Sequence, residues 1–522
     1  MLSYKTTYSR SKTKSVFNRV ISAAVNGIES KCVLVEADVS DGLPMFSMVG
    51  YLASEVREAQ DRVRTARRNS GYALPPKHIT VNLAPGDIRK SGTRFDLPIA
   101  AAVMASYGYL PQKSLDGIFF AGELGLDGSV QGIHGILSMV IEARRAGCTA
   151  CMIPWANRKE GAAVQGIAVY GVRHLRELEA HLKAEQRLEK VTINIEEKFQ
   201  NPVRTKLLDF ADICGQQMGK RAAEIAAAGM HNLLISGPPG AGKSMIAKRI
   251  PSILPPLTLE ESLEVSGIHS IAGTLPEDGI LTERPFRMPH HTISAVALTG
   301  GGAVPRPGEI SLAHRGVLYL DELPEFQQET LEVLRQPLED GVVRISRNLG
   351  QYVFPADFML VASRNPCKCG YFPDRSRCHC RERDIRSYLG RISRPLLDRI
   401  DLYVEAEPVR YEELTGKGVS ECSADIRRRV EMAQQIQQTR YRQEGFHFNA
   451  QLPASLLERY CSLTREGEAK MQDVYVRKQL TARSYHRMLK VARTIADLEG
   501  CGQIQERHLD EAILYRASDG MM

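Results

Sequence analysis

The sequence predicts an α/β protein with an N-terminal α+β domain, a central domain built on a parallel sheet, and a C-terminal helical region. Three observations support this prediction. Strand-like and helical runs alternate over residues 16–182. Short apolar runs at 233–235, 316–320 and 358–363 are typical of buried parallel strands. Helical patterns then dominate after residue 405.

Shifts in composition mark the boundaries between these parts. Residues 1–15 are polar and basic without periodicity, which predicts a disordered tail or, alternatively, a nucleic-acid-binding arm. Residues 183–205 are charged and weakly patterned, so they are predicted to form a linker with one strand at 191–195. The central domain is expected over 206–405 and a helical lid over 406–522.

The bulk composition limits the classes of function. The chain has 522 residues and a formal net charge of +7, which is compatible with a polyanionic partner but does not require one. No apolar run is long enough to cross a membrane, and the basic N-terminus lacks an apolar signal segment, so a soluble protein without a membrane partner is expected. Eleven cysteines in so long a chain favour reduced thiols in the cytoplasm over a disulfide framework.

The most informative segment directly follows the apolar run 233–235. Its glycines let backbone N–H groups turn toward a phosphate, and the next helix adds the positive end of its dipole. Lys243 is expected to reach the β- and γ-phosphate oxygens, and Ser244 to ligate Mg²⁺. The segment therefore predicts a site for ATP and Mg²⁺. The residues of this phosphate loop are Gly237, Pro238, Pro239, Gly240, Ala241, Gly242, Lys243 and Ser244.

An acidic pair follows the apolar run 316–320. Asp321 and Glu322 would lie at the carboxyl edge of the predicted sheet, where ligands bind in such folds. Asp321 is expected to hold Mg²⁺ through water, and Glu322 to orient and polarise an attacking water. An acidic pair can also cap a helix, but its combination with a phosphate loop favours ATP hydrolysis.

These motifs carry a resemblance to a known family. The chain resembles the YifB/ComM family of Mg-chelatase-like AAA+ ATPases over nearly everything after residue 15. The resemblance implies a hexameric ring with nucleotide between subunits. It also implies a helicase that migrates branched DNA during uptake and recombination of foreign DNA. Besides the phosphate loop, the matching segments are 209–216, 284–294, 306–314, 320–326, 365–370 and 394–401.

The resemblance assigns roles to several polar side chains. Asn365 fits the sensor that contacts the γ-phosphate or its water. Arg399, or secondly Arg394, would reach the γ-phosphate of the neighbouring subunit; the alternative for Arg399 is a surface salt bridge to Asp398 or Asp401. Arg483 and Arg487 lie one turn apart on a predicted helix and could reach back to the nucleotide.

A hairpin is predicted at residues 342–354, where apolar and polar side chains alternate on both sides of a turn. In related helicases a hairpin before the sensor strand touches DNA. Arg344 and Arg347 are therefore candidates for phosphate contact. The alternative is an exposed hairpin that carries arginine for solubility.

Four cysteines lie close together after the sensor segment: Cys367, Cys369, Cys378 and Cys380. Four sulfurs on one short loop suit a tetrahedral Zn²⁺ and would otherwise be exposed and oxidisable. The Cys-x-Cys spacing is tighter than is usual for zinc, so free thiols stay an equal alternative. His379 is expected to point away from the cluster.

The N-terminal domain is similar to the proteolytic domain of Lon proteases. The likeness is carried by residues 122–134 and 142–154. Lon needs a serine activated by a lysine. At the serine position this chain has Arg94, and at the lysine position it has residues 134–136, His-Gly-Ile, so both catalytic groups are missing. A non-proteolytic scaffold or a DNA-binding domain is expected, with Arg89, Lys90 and Arg94 as a modest basic surface.

Other functions share the same ATPase core. A chaperone-like remodeller of proteins would differ only in what enters the pore. A metal-chelatase motor subunit would need a partner that carries a tetrapyrrole site, and an ATP-dependent protease is disfavoured by the missing catalytic pair. Further copies of this chain and single-stranded or branched DNA are therefore the expected partners.

Overall fold

The computed structural model describes residues 18–73, 75–200, 208–302, 304–347, 350–408, 411 and 420–516. The predicted tail at 1–15 lies outside these residues. The chain divides into two compact units, the first comprising residues up to 195 together with 269–281, and the second comprising the remainder. The division after residue 195 falls inside the stretch predicted to be a linker. The grouping of 269–281 with the first unit was not predicted.

The strands of the first unit are β1 (Asn18–Asn26), β2 (Glu29–Ser40), β3 (Met45–Val49), β4 (His78–Ala84), β5 (Ile118–Phe120), β6 (Glu123–Leu124), β7 (Val130–Gln131), β8 (Ala150–Pro154) and β9 (Ala168–Val172). Seven of them form a mixed sheet in the order β3-β4-β2-β1-β5-β8-β9. β2 pairs antiparallel with β1 and β4, and the other neighbours are parallel. β6 and β7 pair separately.

The helices of the first unit cover its sheet. The helix Asp96–Ser106 is apolar nearly all round and is buried along almost its whole length, as expected for a helix in the centre of a core. It packs against β1 and β2. The other α-helices are Ser54–Arg57, Ala59–Asn69, Ile136–Arg145, Arg158–Ala162 and Leu175–Leu182.

The strands of the second unit are β10 (Leu233–Ser236), β11 (Phe286–Arg287), β12 (Gly300–Gly301), β13 (Arg306–Pro307), β14 (Val317–Leu320), β15 (Val342–Arg347), β16 (Gly350–Pro355), β17 (Met359–Arg364) and β18 (Leu402–Glu405). Five of them form a parallel sheet in the order β11-β14-β17-β10-β18. Parallel strands end at one edge of the sheet, so the residues that follow β10, β14 and β17 meet there.

The helices of the second unit dominate its C-terminal part. This arrangement confirms the predicted α/β class with a parallel sheet and a helical C-terminal region. Among the described residues, none of the helices has the length and apolar character needed to span a bilayer. Two helices, Ile195–Gln200 and Leu259–Ala272, include residues of both units. The other α-helices are Gln217–Gly229, Lys243–Ile253, Ala295–Thr299, Glu309–Leu312, Gln328–Glu332, Pro337–Asp340, Glu382–Leu389, Arg394–Leu397, Ser423–Arg440, Leu457–Tyr460, Arg465–Arg477, Ala482–Leu498 and Glu506–Leu514.

The strand predicted at 191–195 is wrong. Lys190 forms a single bridge with Tyr170 on the edge strand β9, and Ile195 already begins a helix. Two glutamates in the first turn of that helix, Glu196 and Glu197, favour its start through the helix dipole. The hairpin predicted at 342–354 is confirmed, because β15 and β16 pair antiparallel.

Candidate nucleotide site

The phosphate loop connects β10 to the helix Lys243–Ile253. Gly240 and Gly242 have φ angles of +81° and +82°, in the left-handed region that glycine adopts without strain. A Cβ at either position would meet no neighbouring atom, so the need for glycine is conformational and not steric. These two residues turn the backbone so that the helix begins directly beneath the loop.

Lys243 is held inside the loop by oxygen atoms. Its Nζ donates to the carbonyl oxygens of Gly237, at 2.6 Å, and Pro238, at 2.8 Å, and to Oδ1 of Asn365, at 3.1 Å. Burial lowers the pKa of Lys243, while the carboxylates of Asp321 and Glu322 act in the opposite direction. The ends of three strands thus place a cation, two carboxylates and an amide together.

Ser244 and Asp321 meet where a divalent cation would bind. Ser244 Oγ donates to Asp321 Oδ2 at 3.1 Å. A hydroxyl and a carboxylate beside a phosphate loop are the oxygen donors that Mg²⁺ takes from protein in such sites. The residues present therefore fit the predicted Mg²⁺ position.

Two side chains that were not predicted as functional complete this cluster. The Tyr319 hydroxyl donates to Asp321 Oδ1 at 2.7 Å, and Ser363 Oγ donates to the same oxygen. Burial raises the pKa of Asp321, but the hydrogen bonds from Ser363, Tyr319 and Ser244 outweigh it and hold the pKa below its usual range. A carboxylate kept ionised in this way suits cation binding. The signal was the spacing of two, which puts Tyr319 on the face of Asp321.

Glu322 adopts an uncommon backbone conformation. Its φ of +53° lies in the left-handed region. Residues other than glycine seldom adopt this conformation, and those that do are concentrated at functional sites. Its backbone N–H donates to Ser363 Oγ at 3.1 Å, and its side chain is exposed. Ser363 thus fixes both acidic residues, one through its carboxylate and one through its backbone.

We expect Ser363→Ala to raise the Mg²⁺ concentration that gives half-maximal ATP hydrolysis by about tenfold, because residues that orient metal ligands typically contribute such factors. The measurement is a Mg²⁺ titration of hydrolysis at saturating ATP. Ser387→Ala, on the exposed face of the helix Glu382–Leu389, is the matched control. An unchanged Mg²⁺ requirement in the Ser363 variant would contradict this role.

The two arginines predicted to act on a neighbouring subunit lie in different surroundings. Arg394 is exposed and lines a cavity of about 1020 Å³ that also reaches Pro238 of the phosphate loop. Arg399 forms an ion pair with Glu339 and donates to the carbonyl oxygen of Pro395 at 2.7 Å. An ion pair was the predicted alternative for Arg399, although with a different partner.

The two lid arginines also differ. Arg483 is exposed at the start of the helix Ala482–Leu498. Arg487 donates to the carbonyl oxygen of Ile400 at 2.8 Å and to Asp398 at 3.3 Å, so it ties the lid helix to the segment before β18. Arg483 is therefore the one of these two arginines whose side chain is exposed to solvent.

Comparisons with known proteins match most of the chain. The family described as magnesium chelatase, subunit ChlI, matches residues 209–414; its C-terminal family matches 420–516, and subunit ChlI of Mg-chelatase matches 35–157. The uncharacterized protein YifB of Salmonella typhimurium is 41% identical over 503 residues, which cover 96% of this chain and 97% of that protein. The chain belongs to the YifB/ComM family of Mg-chelatase-like proteins.

Two further relatives show how far the likeness extends. The competence protein ComM of Haemophilus influenzae is 41% identical over 499 residues, covering 95% of this chain and 97% of that protein. The magnesium-chelatase 67 kDa subunit of Chlorobaculum parvum is 28% identical over 207 residues, covering 39% of this chain and 27% of that protein. The whole chain is therefore similar to YifB and ComM, whereas only part of it is similar to the chelatase subunit.

The hairpin β15–β16 of this YifB/ComM-family chain carries exposed arginines beside the strand pair β12–β13. Val343 and Ile345 are buried, whereas Arg344 and Arg347 are exposed. The Arg347 guanidinium lies 3.4 Å from where a Cβ on Gly301 would stand, so the strand pair β12–β13 adjoins the hairpin. The hairpin and the strand pair β12–β13 line a groove of about 700 Å³, named here the hairpin groove. Its lining includes Arg335, Arg344, Arg347 and Arg399.

The four cysteines predicted to bind zinc come together. The Sγ atoms of Cys367, Cys369, Cys378 and Cys380 all lie within 4.8 Å of one another. His379 does not belong to this group. The arrangement is compatible with a metal site in this member of the YifB/ComM family.

The positions that would carry a Lon catalytic pair are neighbours in the first unit. Nη1 of Arg94 lies 3.9 Å from where a Cβ on Gly135 would stand. Burial lowers the pKa of Arg94 to about 10, and its Nη1 contacts Met139 Sδ at 3.8 Å.

The predicted basic surface is wrong for Lys90, which is fully buried and donates to the carbonyl oxygen of Pro85. The Lys90 side chain therefore lies in the interior of this unit and not on its surface.

Proposed function

We propose that this chain is an AAA+ ATPase whose subunits assemble into a hexameric ring and act on DNA in the cytoplasm. The observation that carries the proposal is the meeting of Lys243, Asp321, Glu322 and Asn365 at one edge of the parallel sheet. A phosphate-binding cation, a metal-binding carboxylate, an exposed carboxylate and an amide are the groups that transfer of a phosphoryl group to water requires.

Each group has a role that follows from its position. Lys243 would exchange one of its three oxygen partners for a phosphate oxygen and offset the charge of the β- and γ-phosphates. Ser244 and Asp321 would hold the cation; when bound, Mg²⁺ neutralises charge that develops on the phosphates. Glu322 would accept a hydrogen bond from the attacking water and take its proton, and Asn365 would orient the same water.

Assembly would complete the site with positive charge from a neighbouring subunit. Arg399 is the first candidate and Arg394 the second, since both lie in or just after the helix Arg394–Leu397. An arginine supplied in this way stabilises the negative charge of the transition state. Arg483 would contact the nucleotide from the lid of the same chain. The proposal that the subunits form a ring rests on the family resemblance together with these arginines.

The hairpin groove is the proposed DNA-binding surface. Among the described residues, Arg344 and Arg347 form no ion pair, whereas Arg335 pairs with Glu332 and Arg399 with Glu339. Unpaired, exposed guanidinium groups on one strand of a hairpin, as on β15, can contact phosphates of a nucleic-acid strand. The name of the Haemophilus relative, a competence protein, supports DNA as the substrate.

The proposal is tested by ATP hydrolysis of the purified protein with no nucleic acid, with single-stranded DNA and with a branched junction. DNA should stimulate hydrolysis, and added salt should weaken the stimulation because it competes for phosphate contacts. Hydrolysis that is indifferent to every DNA would overturn the DNA-motor proposal. It would favour a chaperone-like or chelatase-type motor acting on a protein.

We expect the double variant Arg344→Ala/Arg347→Ala to lose DNA stimulation while it keeps its basal rate of hydrolysis. The slope of log affinity against log salt should decrease by about two, one for each lost phosphate contact. The measurements are fluorescence anisotropy of labelled single-stranded DNA and hydrolysis rates. Arg442→Ala/Arg465→Ala removes the same charge from other exposed positions and serves as the control. Equal DNA binding by both double variants would remove the hairpin from the interface.

A further inference from the structure

The cysteine cluster has the dimensions of a tetrahedral metal site. The Sγ atom of Cys367 lies 3.3 Å from that of Cys369 and 3.7 Å from that of Cys378. Zinc–sulfur bonds of about 2.3 Å in a tetrahedron put sulfur atoms about 3.8 Å apart. Cys367 and Cys378 are buried and the other two are half-buried. The four sulfurs therefore face a common centre that is largely shielded from solvent.

The loop that carries the cysteines is ordered by its own polar contacts. The backbone N–H of Phe372 donates to Cys367 Sγ at 3.4 Å, a hydrogen bond that favours a negatively charged sulfur. Cys378 N donates to the carbonyl oxygen of Asp374 at 2.8 Å, and Arg375 donates to the carbonyl oxygen of Cys380 at 2.9 Å. The thiols are thus held at fixed separations by the backbone.

The charge of the loop complements a zinc–thiolate group. Four thiolates and one Zn²⁺ carry a net charge of about −2. Between the first and last cysteine, the three basic residues Lys368, Arg375 and Arg377 exceed the single acidic residue Asp374 by two charges. Four neutral thiols would leave this positive charge without a counter-charge in the loop.

The cluster also touches the phosphate loop. Gly370 has a φ of +88°, and a Cβ added there would lie 2.3 Å from Cδ of Pro239, so Gly370 lies against the Pro239 ring. On the other side, Cys367 follows two residues after Asn365, which accepts the hydrogen bond from Lys243. The cysteine loop therefore braces the nucleotide site at the outer wall of the phosphate loop and at the sensor.

We propose that Cys367, Cys369, Cys378 and Cys380 bind one Zn²⁺ and that this zinc site positions Pro239 and Asn365 for nucleotide binding. The metal site stands on the geometry of the cysteines alone. Its effect on nucleotide rests on the proposed function.

The metal site is tested on the full-length protein purified with reductant and without added metal. Elemental analysis should find about one zinc per chain in the wild type and in the control Cys214→Ser, whose cysteine is exposed and outside the cluster. Cys378→Ser/Cys380→Ser should hold at least about tenfold less. Cobalt substituted into the wild type should give the visible bands of a tetrahedral thiolate site. Wild-type protein from zinc-supplemented cells that lacks zinc and shows four reactive thiols would overturn the site, even if the serine variant does not fold.

The link to the nucleotide is tested with Gly370→Ala. The added methyl group would collide with Pro239 while all four cysteines stay in place. This variant should keep its zinc and bind a fluorescent ATP analogue several-fold more weakly than the wild type. Retained zinc with unchanged nucleotide affinity would overturn the bracing role and leave the metal site standing. Failure of the wild type itself to bind the analogue would instead refute the proposed function, and the zinc content would be unaffected.

Discussion

Replacement of Lys243 by alanine is expected to reduce ATP hydrolysis by at least about 100-fold, because this ammonium is the positive charge held inside the loop that would bind the phosphates. Its Nζ already lies among three oxygen atoms at the end of β10. Without it, the β- and γ-phosphates lose a charge-assisted partner in both the ground state and the transition state. We therefore expect weaker binding of ATP as well as slower hydrolysis. The measurements are phosphate release and binding of a fluorescent ATP analogue.

Lys248→Ala provides the matched control for this variant. Lys248 lies on the same helix, Lys243–Ile253, but its side chain is exposed. Its removal changes the net charge equally and should leave hydrolysis within about twofold of the wild type, as is usual for exposed positions. Circular dichroism should show both variants folded. Hydrolysis by a folded Lys243→Ala protein at the wild-type rate would exclude the phosphate loop as the source of the activity.

Glu322→Gln should separate binding from hydrolysis. We expect the rate of hydrolysis to fall by about 10²–10⁴-fold, the range that a positioned general base contributes. Binding of ATP should persist, because the Glu322 side chain is exposed and only its backbone N–H is fixed, by Ser363. The measurement is single-turnover hydrolysis beside the affinity for the fluorescent analogue. A protein that binds ATP without consuming it should also hold DNA longer in the nucleotide-bound state.

The pattern across the two variants is the decisive result. Lys243→Ala should lose both binding and hydrolysis, whereas Glu322→Gln should lose hydrolysis alone. Glu329→Gln is the control for charge, since Glu329 is exposed on the next helix, Gln328–Glu332. If Glu322→Gln hydrolyses ATP as fast as this control, another group must take the proton, and the role of the acidic pair must be reassigned.

The strands that build the nucleotide site could be predicted because each is a short apolar run followed by a polar residue. The predicted runs at 233–235, 316–320 and 358–363 match β10, β14 and β17 to within one residue at each end. The pattern of apolar residues and the length of the run are enough to predict such strands, even when the neighbouring strands are unknown. The phosphate loop adds a fixed order of residue types, so the meeting of strand ends could also be expected.

The supporting side chains could not be predicted from one strand at a time. Ser363 contacts Asp321 across a strand boundary, and that contact depends on β14 and β17 being neighbours in the sheet. A tyrosine or serine within a strand indicates only which face it lies on. The strand order, which sequence patterns do not specify, decides what that face meets.

Charged residues were misjudged for a related reason. Lys90 was assigned to a surface by residue type, yet it is buried and hydrogen-bonded to a backbone oxygen. Arg399 was expected to reach a neighbouring subunit, with a salt bridge to a nearby acidic residue as the alternative, and its ion pair is with Glu339, 60 positions away. The partners of long charged side chains are set by tertiary structure, and local sequence carries little information about them.

The three oxygens around Lys243 make the arrival of nucleotide an exchange of partners. An ammonium has three protons, and here each already has an acceptor: Gly237, Pro238 and Asn365. A phosphate oxygen can gain one of these protons only when an acceptor gives it up. The amide of Asn365 is the only acceptor of the three that can turn away without moving the main chain. Binding of ATP would thus free the Asn365 side chain, and a chain without ATP would keep it tethered to Lys243.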